Sequence, residues 1–482
     1  MFWSSGFRSS CSGFGPFVFL ALIIIAVILL LPRERWRHMH DSAIQMTSDL
    51  WHFHNRDKST AGILENSSRC NRFDDAYIRG FTERFAEYCD ATSPASLTCF
   101  SHQAFNLRLD TFCVGTPAEF NREGGQAKSI SLSCRLRKEY DLPDGIPLLQ
   151  DIPNYGWFDT GPFKVFEEFI NISENTQSLS LVEGSHLVSS AQESEKGYSF
   201  LIKREWDHNM WHELLQIFSL YNSVEVLRRS IDSKTRMPFF TDEDARVSKL
   251  VILDDIEPGP YFDPWTADTG LPPIKLKDVL SGKETAPKRI LVPLVGIANP
   301  LWQGNWKKLS CGESPLLHRL TQKVLSFYDI SPASQTPHRP RRLVMIDRKH
   351  SRHLLHTNAL FEALQARHPE IKMSLLDYGT LSFKAQLETD QTTDILVGVH
   401  GAGLTHGMFL RRRSTVAQIL PPTLDHYGFE KMARFLGHKY YSMHATPFDS
   451  VNHTGDWHHD DVFVEEEDFL QFMGKVITGA SA

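Results

Sequence analysis

The sequence predicts an α/β fold with a parallel sheet. The clearest evidence is the apolar run Ile395–Val399, because an unbroken run of this length is typical of a strand buried on both faces. A turn with Gly401 and Gly403 follows, and then a short segment with apolar residues at roughly helical spacing. A second apolar run, Thr415–Leu420, ends at two prolines. Strand, glycine turn, short helix and strand indicate one half of a nucleotide-binding sheet.

The other elements follow from the same patterns. Further apolar runs predict strands at residues 199–203, 250–253, 288–294, 342–346 and 372–376. A long helix is expected to begin near Asn209, which is a good N-cap. Three prolines between Ser331 and Pro340 indicate a linker, and we set a domain boundary there.

Length and charge restrict the class of protein. The chain has 482 residues, of which 41% are hydrophobic, and this is enough for two or three domains with real cores. Its formal net charge is −7, and no basic patch with interleaved aromatic residues is present in the sequence. These features argue against a nucleic-acid partner.

The glycine turn is the first candidate binding site. Without a Cβ atom at Gly401 and Gly403, a phosphate can lie against the backbone, where the amides at the helix start face it. His400, at the end of the strand, can donate a hydrogen bond to a diphosphate or to a sugar hydroxyl. In the alternative interpretation, the glycines only allow tight packing and His400 is a satisfied core residue.

Residues 342–441 resemble glycosyltransferase family 61, and within it the EGF-domain-specific O-GlcNAc transferase branch. The resemblance rests on Thr393–Ile395, on the run His400–His406, on Phe409–Leu410 and on the closing strand. It implies inverting transfer of a sugar from a nucleotide donor. The implied fold is GT-B-like, with two Rossmann-like domains that face a cleft.

We divide the chain into six predicted parts from its hydropathy, the proline-rich linker and the resemblance. Residues 1–13 are a cytosolic tail, 14–31 a transmembrane anchor and 32–69 a stem. An acceptor-side Rossmann-like domain at 70–335, a nucleotide-sugar-binding domain at 336–450 and a tail helix at 451–482 follow.

The resemblance also implies donor-binding residues. Family arginines align with Arg348 and Arg352, and guanidinium groups at a strand end can bind phosphate oxygens with two hydrogen bonds. The alternative is a solvated basic turn. In the glycine turn, Ala402 and Thr405 join the donor-binding set. Gln418 stands where family members usually carry Glu, so we expect it to bind the ribose hydroxyls more weakly than a carboxylate.

The start of the long helix holds the candidate general base. Residues 209–212 resemble the family's Asn-x-x-His element, and a histidine can take the proton of an attacking hydroxyl. We assign this role to His212, with Glu213 as the second candidate. In the alternative interpretation, His212 is a helix-start residue without chemistry. Relatives often carry Asp in place of Gln216. A polar stripe that faces either solvent or a cleft runs along this helix: His212, Gln216, Ser219 and Ser223.

A carboxylate pair, Asp254 and Asp255, follows the predicted strand at residues 250–253. Such a pair can hold a divalent metal under a diphosphate. However, the run Asp254–Trp265 resembles a segment of the family's N-terminal domain that is not a metal motif. We therefore expect the protein to use neither a metal nor another cofactor. The UDP-sugar donor is a substrate.

Residues 14–31 carry no charge, and as a helix they would span about 27 Å, which suits an uncleaved membrane anchor. Basic residues after the segment favour a cytoplasmic location for the bulk of the chain. Six of the seven cysteines lie beyond the anchor, five of them within Cys70–Cys134, and three N-glycosylation sequons follow it as well. These features and the resemblance favour a single-pass type II protein of the Golgi or endoplasmic reticulum membrane, with a lumenal catalytic domain.

The predicted function is therefore transfer of a sugar, with GlcNAc as the best guess, from a UDP-sugar to a hydroxyl of a glycoprotein or glycan. UDP-xylose is the alternative donor, and a decayed lumenal binding protein is the non-enzymatic alternative. The His-Gly-Ala-Gly turn also resembles the oxyanion loop of some esterases. The nucleophile motif that accompanies that loop is missing, since Gly312–Leu316 lacks the second glycine.

Overall fold

The structure is a computed structural model. It describes residues 73–103, 109–121, 125–154, 160–174, 196–205, 209–270, 272–302, 312–332, 339–349, 351–448 and 456–481. All of them belong to one compact unit, Arg69–Ala482. The predicted tail, anchor and stem lie outside the described residues. Among the helices that are described, none is both long and apolar enough to cross a membrane.

The strands confirm the α/β prediction. They are β1 Phe85–Glu87, β2 Ser96–Gln103, β3 Leu109–Thr116, β4 Glu119–Phe120, β5 Ile130–Ser133, β6 Ile170–Ser173, β7 Ser199–Ile202, β8 Lys249–Ile252, β9 Ile274–Lys275, β10 Ile290–Val292, β11 Arg342–Ile346, β12 Lys372–Leu376, β13 Ile395–Val399, β14 Thr415–Leu420 and β15 Lys439–His444. Strands β4 to β6 form a small sheet of their own.

The α-helices lie before, between and after these strands. They are α1 Phe73–Thr82, α2 Gly161–Glu168, α3 Met210–Arg229, α4 Asp242–Val247, α5 Pro264–Thr269, α6 Leu276–Leu280, α7 Pro315–Phe327, α8 Thr357–Arg367, α9 Phe383–Thr392, α10 Gly428–Phe435 and α11 Glu466–Ser481. The short helix predicted after the glycine turn is a 3₁₀ helix, Ala402–Phe409.

The second half of the chain forms a five-stranded sheet in which all strands are parallel, in the order β12-β11-β13-β14-β15. This order reverses between β11 and β13, since the chain leaves β11 towards one edge and then continues from β13 towards the other. In open parallel sheets, ligands bind beyond the carboxyl ends of the strands at such a switch point. The topology alone therefore points to the loops that follow Ile346 and Val399.

The first half forms a seven-stranded sheet in the order β1-β2-β3-β10-β7-β8-β9. Strands β10, β7, β8 and β9 are parallel, and β1 to β3 extend the sheet in antiparallel fashion. Two disulfides stabilise this half, Cys89–Cys134 and Cys99–Cys113. They lie in the cysteine cluster that predicted disulfides, whereas Cys70 and Cys311 are outside the described residues.

Helix α3 follows β7 and begins as predicted, because the Asn209 side chain accepts a hydrogen bond from Trp211 N. The prediction for its polar stripe was wrong beyond the first turn. The Ser223 hydroxyl accepts a hydrogen bond from Leu294 N, and Asn299 Nδ2 donates to the Ser219 hydroxyl. These side chains are buried against the loop at residues 294–299, so they line neither solvent nor a cleft.

One apolar cluster fills the space between the two large sheets. It contains side chains from both halves, among them Trp211 and Leu301 from the first, and Leu404 and Phe429 from the second. Helix α3 contacts the 3₁₀ helix Ala402–Phe409 directly. The first turn of α3 and the switch point of the five-stranded sheet therefore lie in the same region of the molecule.

Candidate functional site

The structure brings the predicted phosphate-binding groups together at the switch point. Arg348 follows β11, and Gly401 follows β13. A methyl group on Gly401 would overlap the Arg348 guanidinium and would lie 3.2 Å from Arg352 Nη2. Gly401 also has φ of +149°, a conformation that side-chain-bearing residues rarely adopt. Both its backbone and its neighbours therefore require glycine at this position.

Arg348 and Arg352 place two positive charges side by side. Arg348 donates through Nε to the Ser351 carbonyl at 2.8 Å and through Nη2 to the Ser351 hydroxyl at 3.1 Å. Within the described ranges, no carboxylate forms a salt bridge with either guanidinium, and the buried Arg352 Nε has no hydrogen-bond partner. Burial, reinforced by Arg348, lowers the pKa of Arg352 to about 10. The charge of Asp456 opposes part of this shift. Two desolvated cations side by side nevertheless favour the binding of an anion.

His400 is held in one tautomer. Its Nδ1 accepts a hydrogen bond from Gln418 Nε2 at 2.6 Å, and Gln418 Oε1 accepts one from the Tyr440 hydroxyl at 2.6 Å. Burial, with a contribution from nearby His426, holds the pKa of His400 well below its usual range. The neutral ring therefore carries its proton on Nε2, and the turn gains one fixed N–H donor.

The remaining residues of the predicted donor set lie in two places. Ala402 and Gly403 are partly exposed at the start of the 3₁₀ helix, where their amides have no acceptor within the helix. Thr405 and Gln418 are fully buried. Because the Gln418 amide is bonded to His400 and Tyr440, it orients His400 in this arrangement instead of facing a ribose.

A second group of functional side chains surrounds the start of α3. His212 Nδ1 lies 2.5 Å from Glu205 Oε2, so the carboxylate accepts the Nδ1 proton and the lone pair remains on Nε2. This is the tautomer that a general base requires. Sequence reasoning missed Glu205. Its position three residues after Ile202, at the carboxyl end of a parallel strand, was the available signal.

Glu213, the second candidate base, points to other partners. It accepts a hydrogen bond from Trp265 Nε1, and burial raises its pKa to about 7. Asp254 binds Arg204 at 2.7 Å, whereas Asp255 is exposed and lies 3.3 Å from Lys277. The predicted carboxylate pair is thus split between two cations. Across the residues that the structure describes, no group of three or more His, Cys, Asp or Glu side chains is arranged to hold a metal ion.

Aromatic rings connect the two groups of side chains across the apolar cluster. The His212 ring packs edge-on against Trp302, with 5.2 Å between centroids, and Trp302 lies beside Trp211. Trp211 contacts Phe429 at 4.7 Å, and Phe429 contacts His400 at 5.4 Å. A histidine–carboxylate pair from the first half of the chain and the glycine turn from the second half therefore adjoin the same aromatic cluster.

A buried network supports the turn from below. Asp390 accepts hydrogen bonds from the Tyr378 hydroxyl and from His406 Nδ1, both at 2.7 Å. The rings of Tyr378 and His406 are stacked with 4.1 Å between their centroids. These contacts attach the 3₁₀ helix to α9 and to the loop after β12, which fixes the position of the glycine turn.

Comparison with known proteins identifies the domain that carries this turn. Residues 262–417 match the family model Glycosyltransferase 61. The match includes Arg348, Arg352 and the whole glycine turn, whereas Glu205 and His212 lie before it.

Relatives from several animals carry the name EGF domain-specific O-linked N-acetylglucosamine transferase. The Drosophila melanogaster protein is 27% identical over 250 residues, which are 50% of this chain and 44% of the relative. The rat protein is 27% identical over 216 residues, or 44% of this chain and 38% of the relative. The Gallus gallus protein is 24% identical over 348 residues, or 70% of this chain and 59% of the relative.

The matched region spans less than two thirds of each of these relatives. The resemblance that was predicted from the sequence is nevertheless confirmed. Residues 262–417 match the glycosyltransferase 61 family model, and the chain resembles the EGF domain-specific O-GlcNAc transferase branch of that family.

Proposed function

We propose that this protein is an inverting glycosyltransferase that moves a sugar from a UDP-sugar to a hydroxyl acceptor on a GT-B-like scaffold. The observation that carries the proposal is the contact between Gly401 and the guanidinium groups of Arg348 and Arg352 at the switch point. These groups form a cationic, amide-lined turn beyond the carboxyl ends of β11 and β13. A nucleotide diphosphate matches this chemistry in both charge and shape.

On the donor side, the turn stabilises the leaving group. Negative charge grows on the diphosphate as the bond to the sugar breaks, and Arg348 and Arg352 lie where that charge develops. The amides of Ala402 and Gly403 and the fixed Nε2–H of His400 supply further donors. Because these donors are already held in place, they need no reorganisation during the reaction, and we propose that the transfer needs no metal.

On the acceptor side, His212 acts as the general base. The acceptor hydroxyl passes its proton to His212 Nε2 while its oxygen bonds to the anomeric carbon. The bond to the diphosphate breaks on the opposite face of the sugar, and its electron pair leaves with UDP, so the configuration inverts. Glu205 stabilises the imidazolium that forms, because it accepts the Nδ1–H at 2.5 Å.

For the donor sugar we propose GlcNAc, and for the acceptor a glycoprotein Ser or Thr or a glycan, because the relatives are named for GlcNAc transfer to EGF domains. UDP-xylose is the alternative donor. The position of Gln418 weakens the decayed-site alternative, since its amide supports His400. We further propose that the catalytic domain lies in the lumen of the Golgi or endoplasmic reticulum, because the two disulfides indicate an oxidising compartment. We also propose a type II anchor at residues 14–31.

Replacing Arg348 with alanine is expected to weaken UDP binding by about 10- to 100-fold, the usual value of hydrogen bonds to a charged group. Isothermal titration of UDP into the wild type and the variant measures this. Arg412→Ala is the matched control, because it removes an exposed arginine that lies before β14, away from the carboxyl ends of the strands, and pairs with Glu313. Equal UDP affinity in wild type and Arg348→Ala would contradict the proposed donor site.

A further inference from the structure

A segment near the end of the chain, residues 456–464, crosses the loop that carries Arg352. We call it the strap. Val462 N donates to the His353 carbonyl and Leu355 N donates to the Val462 carbonyl, both at 2.8 Å. Asp461 Oδ1 accepts from His353 N at 3.0 Å. The strap lies outside the part of the chain that matches the family model, yet these bonds fix it directly beside the arginine pair.

The strap places an aromatic ring at the edge of the proposed donor site. The Arg352 guanidinium lies over the Trp457 ring, 5.5 Å from its centroid. The His400 ring contacts Trp457 edge-on, also with 5.5 Å between centroids. Trp457 therefore adjoins both the cationic group and the fixed N–H donor of the turn.

One face of Trp457 already carries a planar ring. His458 is exposed, and its imidazole stacks on Trp457 with 3.7 Å between centroids and 28° between planes. The only polar partner recorded for this imidazole among the described residues is Asp456, with His458 Nδ1 and Asp456 Oδ1 2.7 Å apart. An exposed side chain with one such partner is easily displaced. The face beneath it thus accommodates a flat π-system.

We propose that Trp457 is the platform on which the pyrimidine base of the nucleotide donor stacks, and that His458 moves aside when the base binds. This inference rests on the proposed function, because it extends the diphosphate site to the nucleoside. In a nucleoside diphosphate the base is separated from the phosphates by one ribose. The diphosphate of a base bound on Trp457 is then within reach of Arg352, whose guanidinium lies 5.5 Å from the centroid of the same ring.

The test compares two ligands that share the diphosphate but not the base. Full-length wild type and Trp457→Ala are titrated with UDP and with inorganic pyrophosphate. UDP affinity is expected to fall about 10- to 100-fold in the variant, the range that stacked bases lose on alanine substitution. Pyrophosphate affinity is expected to stay within about twofold, and Trp457→Phe to recover most of the UDP affinity.

Other outcomes of this test distinguish a failure of the platform from a failure of the proposed glycosyltransferase function. If Trp457→Ala lost affinity for UDP and for pyrophosphate equally, Trp457 would only hold Arg352 in place. If its affinity for UDP were unchanged, Trp457 would not contact the base. Either result overturns the platform. A wild type that binds neither UDP nor pyrophosphate would instead overturn the donor site itself, and the platform with it.

His458→Ala provides an independent check, because it removes the ring that competes with the base. UDP affinity is expected to rise or to stay the same. A loss as large as that of Trp457→Ala would contradict the inference, since it would make His458 part of the binding surface instead of its displaceable cover. Thermal unfolding of both variants shows that the strap remains folded.

Discussion

Gly401→Val is expected to lower both UDP affinity and sugar transfer on the order of 100-fold or more, while the protein still folds. Two effects combine. The φ of +149° is unfavourable for any side-chain-bearing residue, and the new side chain occupies the space of the Arg348 guanidinium. The turn must therefore shift, and the arginine leaves its place beside the amides. UDP titration, steady-state kinetics and thermal unfolding measure the three quantities separately.

Gly403→Ala is the matched control in the same turn. The added methyl group would lie 3.3 Å from Ile346 Cγ2, which is a tight contact but not an overlap, and Gly403 has no positive φ. A much smaller loss is therefore expected. If Gly401→Val kept wild-type UDP affinity, or if both variants lost it equally, the close approach at Gly401 would not be what shapes the donor site.

His212→Ala is expected to lower kcat by about 100- to 10,000-fold, the usual contribution of a general base, with UDP affinity unchanged. The reason is that His212 lies beside Glu205 on the acceptor side, whereas the arginine pair belongs to the other half of the chain. Glu205→Gln keeps the shape of the partner but removes the charge that stabilises the imidazolium, so a smaller loss of about tenfold or more is expected.

Glu213→Gln distinguishes the two candidate bases. Burial raises the pKa of Glu213 to about 7, so the carboxyl is protonated below this pH and becomes a carboxylate above it. If Glu213 were the base, the rate would rise as the pH passes through about 7, and Glu213→Gln would abolish both that rise and most of the activity. With His212 as the base, Glu213→Gln retains most of the activity.

Much of the fold could be predicted because its local signals agree with its tertiary environment. The buried strands β11, β13 and β14 appear as predominantly apolar runs, since both faces of a parallel sheet are covered. Asn209 shows as an N-cap because its side chain has one local partner, Trp211 N. The glycine turn could be found because Gly401 has a backbone conformation that few other residues tolerate.

The rest depends on contacts that no local pattern contains. The position of Glu205 after β7 marks it as a candidate site residue in the sequence, but only the fold brings it to His212. The helical spacing of Ser219 and Ser223 resembles that of a solvated face, but the loop at residues 294–299 covers them. Gln418 was expected at the ribose because family members usually carry Glu at this position, yet its amide is bonded to His400. Trp457 reaches the site only through the backbone bonds of the strap.

The central claim is that the full-length protein transfers sugar from a UDP-sugar, and an acceptor-dependent assay of UDP release with a panel of UDP-sugars tests it most directly. We expect at least one donor, UDP-GlcNAc first, to release UDP and to leave a sugar on an acceptor hydroxyl, with this activity lost in Gly401→Val. If the folded protein turned over no UDP-sugar, or hydrolysed acyl esters instead, the glycosyltransferase account would be contradicted.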